Sequence, residues 1–166
     1  MAQRVRDLSF ATSGHLYMSD SSDVEIQRRI AKLVDAVRAA DLDGVMSIYA
    51  PDLVTFDIVA PLQKIGADGK RANWRDVFAM YQRPLGYEVR DVKVGVSGDV
   101  AFAHSLNRIS GTLRNGSHIS QWLRWTACFR KVRRIGSSGG DWLIVHDHVS
   151  VPTDFATGRA LLGLAP

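Results

Sequence analysis

The chain has a single cysteine, Cys128, in 166 residues. A lone thiol excludes an intrachain disulfide and any metal cluster built on cysteine, so stability has to come from a packed core. No apolar run approaches the roughly 20 residues that span a bilayer, and no membrane partner is expected. Arg4 and Arg6 stand near the start, but Leu8–Tyr17 is broken by Thr12, Ser13, Gly14 and His15. That stretch lacks the apolar centre of a signal peptide, which leaves a cytoplasmic location as the expectation. A Gly-rich phosphate loop, a nucleophile elbow and a Cys/His dyad are also missing, so no cofactor is expected. Acids are missing from Arg108 to Arg134, a stretch that contains Arg108, Arg114, Arg124, Arg130, Lys131, Arg133 and Arg134. These cations fall in strand-like segments and beside a Gly/Ser-rich turn, without an aromatic-basic recognition motif. They read as solvated charge, and no nucleic-acid partner is expected.

What is present suits one globular domain. Hydrophobic residues make up 46% of the chain and four Trp are available to anchor a core or a pocket. Residues 1–20 are aperiodic and read as a loose arm, 21–154 as the domain, and 155–166 as a tail. Ser22 and Glu25 have the spacing of a capping box, and Ile26, Ile30, Leu33, Val34 and Val37 then form one helical stripe. Asp41 can cap a short helix over Leu42–Tyr49, which Pro51 and Asp52 stop. A β-rich segment over Leu53–Ile58 follows. Asp68–Tyr81 reads as a third helix with Trp74, Val77, Phe78 and Tyr81 on one face, ended by Pro84 and Gly86.

Strands then follow one another: Tyr87–Ser97, Val100–Ser110, Ile119–Arg133 and Trp142–Val151. Ser97–Asp99, Asn115–Gly116 and the Ile135–Gly140 tip supply the turns. Helices first and a meandering sheet second is an α+β pattern. Within it Asp57 is conspicuous, because a carboxylate among apolar strand neighbours is costly to desolvate unless paired or used.

The order of elements, the block AADLDGVMSIYAPDLVTFD (Ala39–Asp57) and the closing WLIVHDHVSVP (Trp142–Pro152) resemble the NTF2-like superfamily, nearest to its SnoaL-like, ketosteroid-isomerase-like members. The resemblance covers Asp23 to Val151. It implies a cone: three N-terminal helices packed on a strongly curved antiparallel β-sheet, with a pocket at the mouth. It also places Asp57 where those isomerases keep the carboxylate that moves a proton between two carbons of an enolisable ketone. Their oxyanion hole is a tyrosine and a protonated aspartic acid. Here Leu33 and Ala127 stand at the corresponding places, so both donors are missing and steroid isomerisation itself is not expected.

The resemblance further turns Phe102, His104, Leu106 and Arg108 inward, making His104 an acid or oxyanion donor beside Asp57 and Arg108 a holder of polar substrate groups. Strand alternation puts Leu123, Trp125, Ala127 and Phe129 on one face and Trp122, Arg124, Thr126, Cys128 and Arg130 on the other. On the last strand Val145, Asp147 and Val149 alternate with His146 and His148. Asp147 is assigned to the pocket and the two histidines to the outer face, and a bulge would reverse that. Adjacent positions of the His-Asp-His run point to opposite faces, so no metal is expected there. Tyr49 and Trp74 match pocket-lining positions, and Phe78 lies one turn beyond Trp74.

Two functions fit. One is a cofactor-independent isomerase, cyclase or dehydratase acting on a small apolar or carbonyl-containing molecule. In it Asp57 and His104 are catalytic, while Tyr49, Trp74, Phe78, Arg108, Trp125 and Asp147 bind the substrate. The other is a non-catalytic ligand-binding or assembly module similar to the association domain of calcium/calmodulin-dependent kinases. Either predicts a homodimer through the outer sheet face. An open cavity favours the enzyme, and a cavity plugged by its own side chains favours the scaffold.

Overall fold

A computed structural model describes residues 21–133 and 140–166. The expected arm over 1–20 and all of the expected Ile135–Gly140 tip except Gly140 lie outside the described residues. Helix α1 (Ser21–Ala39) starts one residue ahead of the expected cap and turns Ile26, Ile30, Leu33 and Val37 into the core. Removing such a side chain from water contributes about 2 kcal/mol. Ala40 takes a left-handed conformation (φ 50°) that ends α1. Asp41 then caps α2 (Leu42–Met46), its carboxylate accepting the Gly44 N–H at 3.0 Å.

The expected boundary after α2 is displaced. Strand β1 (Tyr49–Phe56) already contains Pro51 and Asp52, both exposed, rather than using them to stop a helix. The ladder between β1 and β6 is irregular between Tyr49 and Val54, so Pro51, which has no N–H, falls where no ladder bond is needed. Next come β2 (Lys64–Ile65), α3 (Ala67–Met80), β3 (Gly86–Ser97), β4 (Val100–Thr112), β5 (His118–Arg133) and β6 (Gly140–Ser150). A small hairpin, β7 (Thr153–Asp154) with β8 (Arg159–Ala160), lies largely in the expected tail.

The six-stranded sheet has the order β2-β1-β6-β5-β4-β3. It is mixed, not antiparallel throughout, because β1 and β6 run parallel. Helices α1 and α3 lie on one face, α1 against β3 and β6, α3 against β1. Between helices and sheet sit Leu53, Phe129, Trp142 and Ile144, all essentially without exposure.

Two strands turn differently from expectation. On β4 the inner residues are Ala101, Ala103, Ser105, Asn107 and Ile109, while Phe102 and His104 are exposed and Leu106 and Arg108 only half-buried. Small residues face inward here because larger neighbours, Tyr87 from β3 and Trp125 and Phe129 from β5, fill the space above them. Phe102 finds its cover on the outer face instead, where its ring lies over Gly95 on β3, a position at which any Cβ would collide with it. On β6 a register shift opposite Cys128 and Phe129 displaces Val145 from the inward row. Trp142 and Ile144 point inward before the irregularity, and Asp147 and Val149 after it. The bulge therefore exists, yet it keeps Asp147 on the inner face instead of reversing it.

Candidate active site

A cavity of about 480 Å³ opens between α1, α3 and the inner face of the sheet. Gly66 positions one wall. Its φ of 85° belongs to glycine alone, and its N–H donates to Leu53 O at 2.7 Å, pinning the start of α3 to β1. Lys70, Asn73, Trp74 and Val77 then follow at i, i+3, i+4 and i+7, one helical face lining the cavity. Tyr49, Tyr87, Asn107, Trp125 and Asp147 line the sheet side. Ile58, Val59 and Met80, partly exposed, form the rim.

Asp57 follows the end of β1 on this wall, with its side chain 15% exposed. One carboxylate oxygen accepts the Ile58 N–H at 2.8 Å. The other accepts from Asn73 Nδ2 at 3.0 Å and from Lys70 Nζ at 3.3 Å. Asn73 is itself oriented by Lys64, whose ammonium donates to its amide oxygen. The carboxylate is thus held in one pose while bordering the hollow.

Asp147 is completely buried. Lys70 Nζ (2.9 Å), Trp125 Nε1 (3.4 Å) and the Tyr49 hydroxyl (3.5 Å) all converge on its Oδ2, while Oδ1 has no hydrogen-bond partner among the described residues. Burial alone would drive the Lys70 ammonium toward deprotonation, but the Asp147 and Asp57 carboxylates outweigh it and its pKa is raised. Burial, reinforced by the Asp147 charge, pushes the Tyr49 phenol well above its usual value. Burial pushes Tyr87 up to about 12. Both phenols and the ammonium therefore keep their protons at neutral pH.

Of the residues singled out from sequence, Asp57, Tyr49, Trp74, Trp125 and Asp147 border the cavity. His104 does not: it is exposed on the opposite face of the sheet and cannot meet Asp57. Arg108 is likewise on the outer face, paired with Glu88 at 2.6 Å and lying over the Trp122 ring. Phe78 packs beside Trp74, ring centroids 5.7 Å apart, and does not line the hollow. His146 and His148 are on the outer face, edge-on to Phe56. Among the described residues no group of three or more His, Cys, Asp or Glu is placed to hold a metal. Lys70, Asn73, Tyr87 and Asn107 were not anticipated. The 70/73/74/77 spacing was the available signal for the first two, masked because a lysine and an asparagine on a helix normally face water.

A curved mixed sheet with helices and a cavity on one face is the NTF2-like architecture. The chain belongs to the SnoaL-like domain family, whose pattern it matches over residues 26–154. It is 32% identical to an NTF2-like protein of unknown function from Pseudomonas putida KT2440, over 87% of this chain and 96% of that one, with a TM-score of 0.74. It is 23% identical to a ketosteroid isomerase-like protein from Erwinia carotovora atroseptica SCRI1043, over 79% and 96% of the two chains, TM-score 0.64. An NTF2-like superfamily protein from Salmonella enterica Typhimurium LT2 shares 19% identity over 83% and 96%, TM-score 0.67. No protein with a curated description matches the sequence.

Proposed function

We propose that the protein is a cofactor-independent enzyme that moves a proton next to a carbonyl group of a small, flat, apolar substrate, with Asp57 as general base. Isomerisation, aldol cyclisation and dehydration all begin with that step. The observation that carries the reading is the posed Asp57 carboxylate at the edge of an open, aromatic-walled cavity. A base within an apolar enclosure acts on a carbon acid without competition from bulk water. The open cavity favours this reading over the assembly module, which needs no hollow. Lys70 and Asn73 pose Asp57, while His104, expected as its acid or oxyanion donor, lies across the sheet.

Val100, Phe102, Phe56 and His148, exposed on the outer sheet face, are the surface through which a homodimer would form. No described helix is long and apolar enough to cross a membrane.

The test uses 2-acetylnaphthalene, a flat ketone with exchangeable methyl protons. In D₂O the wild type is expected to accelerate loss of the acetyl methyl signal by proton NMR. Asp57→Asn should slow that exchange about 10²- to 10⁴-fold. Equal exchange by the two proteins overturns the assignment.

A further inference from the structure

A base that withdraws a proton beside a carbonyl leaves negative charge on the oxygen, so a donor has to face that oxygen. Lys70 looks suited but is already committed. An ammonium has three N–H bonds, and Nζ has Asp147 at 2.9 Å, Asp57 at 3.3 Å and the Thr55 hydroxyl at 3.4 Å. The Trp125 indole and the Tyr49 hydroxyl are both directed at Asp147.

A different donor is built on the sheet side, from β3 and β4. Ser105 Oγ lies 2.6 Å from Asn107 Oδ1, and Asn107 Nδ2 donates to the Tyr87 hydroxyl oxygen at 3.0 Å. All three residues are buried. Tyr87 and Asn107 border the cavity; Ser105 does not. The direction of this chain of hydrogen bonds follows from its closed end. Among the described residues Ser105 has Asn107 as its sole polar side-chain partner, so its hydroxyl proton goes to the amide oxygen. That fixes the amide nitrogen toward Tyr87 and occupies the phenol oxygen as an acceptor. Among the described residues the phenol proton then has no acceptor, and the cavity lies beside it. The Tyr87 ring is held edge-on by Trp74, centroids 6.1 Å apart at 74°.

We infer that Tyr87, aligned by Asn107 and Ser105, donates the hydrogen bond that binds the carbonyl oxygen of the substrate. The assignment rests on the carbonyl-substrate reading above and adds to it the polarity of the ligand: an acceptor oxygen on a planar apolar body. Asn107, by donating to the phenol oxygen, strengthens the phenol as a donor through cooperative polarisation. The raised pKa of the Tyr87 phenol means that it shares its proton with the developing oxyanion without surrendering it.

The experiment compares binding of 2-acetylnaphthalene and 2-ethylnaphthalene, which differ in the carbonyl oxygen, and records the infrared carbonyl stretch of the bound ¹³C-labelled ketone. Tyr87→Phe is expected to weaken the ketone about tenfold, the worth of one buried hydrogen bond. The same change should leave 2-ethylnaphthalene within about twofold, since only a donor is lost. The stretch should lie at lower wavenumber in the wild type than in Tyr87→Phe. Ser105→Ala alters no cavity-lining side chain, and its bound ketone should absorb between the two. An unchanged stretch in Tyr87→Phe, or equal loss of both ligands, overturns the donor. An unchanged stretch in Ser105→Ala alone overturns the alignment by Ser105. Neither measurement needs turnover, so failure of Asp57 as base and failure of Tyr87 as donor are read separately.

Discussion

Lys70 and Asp147 form an ion pair at 2.9 Å in which neither side chain is more than 3% exposed. Such a pair is costly to form and more costly to break, because removing one partner strands a charge in a medium that solvates it poorly. Lys70→Met should therefore destabilise the fold by about 3–5 kcal/mol. Adding Asp147→Asn to Lys70→Met should restore part of that loss, since the stranded carboxylate is then neutral. Urea unfolding of the two single variants and the double variant checks both statements through the coupling term.

Much of this architecture is legible in the sequence where local physics decides. The Ile26-to-Val37 stripe, the Asp41 cap and the alternation of Leu123, Trp125, Ala127 and Phe129 need only helical period, a short carboxylate or the β-pleat. Which face of a strand turns inward is a different matter. On β4 alternation separates Phe102, His104, Leu106 and Arg108 from Ala101, Ala103, Ser105 and Asn107, but the family resemblance then turns the wrong set inward. Room above the strand decides instead, and that room is set by side chains distant in sequence. Asp147 keeps its inward direction through a register shift on β6 that no local pattern announces. Lys70 is hidden for a related reason, since a lysine is buried only when two acids from other elements wait for it.

Alkaline pH should unfold the protein more steeply than its surface charge requires. Tyr87 has a folded pKa of about 12 against 10.0 for a free phenol, and the Lys70 ammonium is also raised. For both, the fold favours the protonated form. Their contribution is complete below the unfolded pKa, and it is lost as pH rises through the folded one. Between pH 10 and about 12 the unfolded chain releases protons that the native state retains, so stability falls. Tyr87 alone accounts for a loss on the order of 3 kcal/mol. Far-ultraviolet circular dichroism against pH, with phenolate absorbance recorded in parallel, should show ionisation and unfolding together in that window.

His104 and Arg108 lie across the sheet from the cavity, and that placement has a simple consequence. His104→Ala should leave both 2-acetylnaphthalene binding and its methyl-proton exchange within about twofold of wild type, and so should Arg108→Ala, which removes a half-exposed pair with Glu88 and a contact with Trp122, both on the outer face. A tenfold loss in either variant, measured by NMR exchange and by binding, would mean that the outer face communicates with the hollow.

The two acids around Lys70 should separate in their effects because their surroundings differ. Asp147 has no exposure and gathers three donors on one oxygen, so Asp147→Asn removes a charge on which a buried ammonium depends. Asp57 is 15% exposed, and an asparagine there still offers Lys70 an amide oxygen while Asp147 continues to balance the ammonium. Asp147→Asn should cost about 3 kcal/mol of stability, and Asp57→Asn about 1 kcal/mol. Exchange of the ketone methyl protons should show the reverse emphasis: Asp57→Asn loses it in a protein that remains folded at 25 °C. Thermal unfolding measured beside the exchange rate distinguishes the two. An Asp57→Asn protein as unstable as Asp147→Asn would make Asp57 a structural acid.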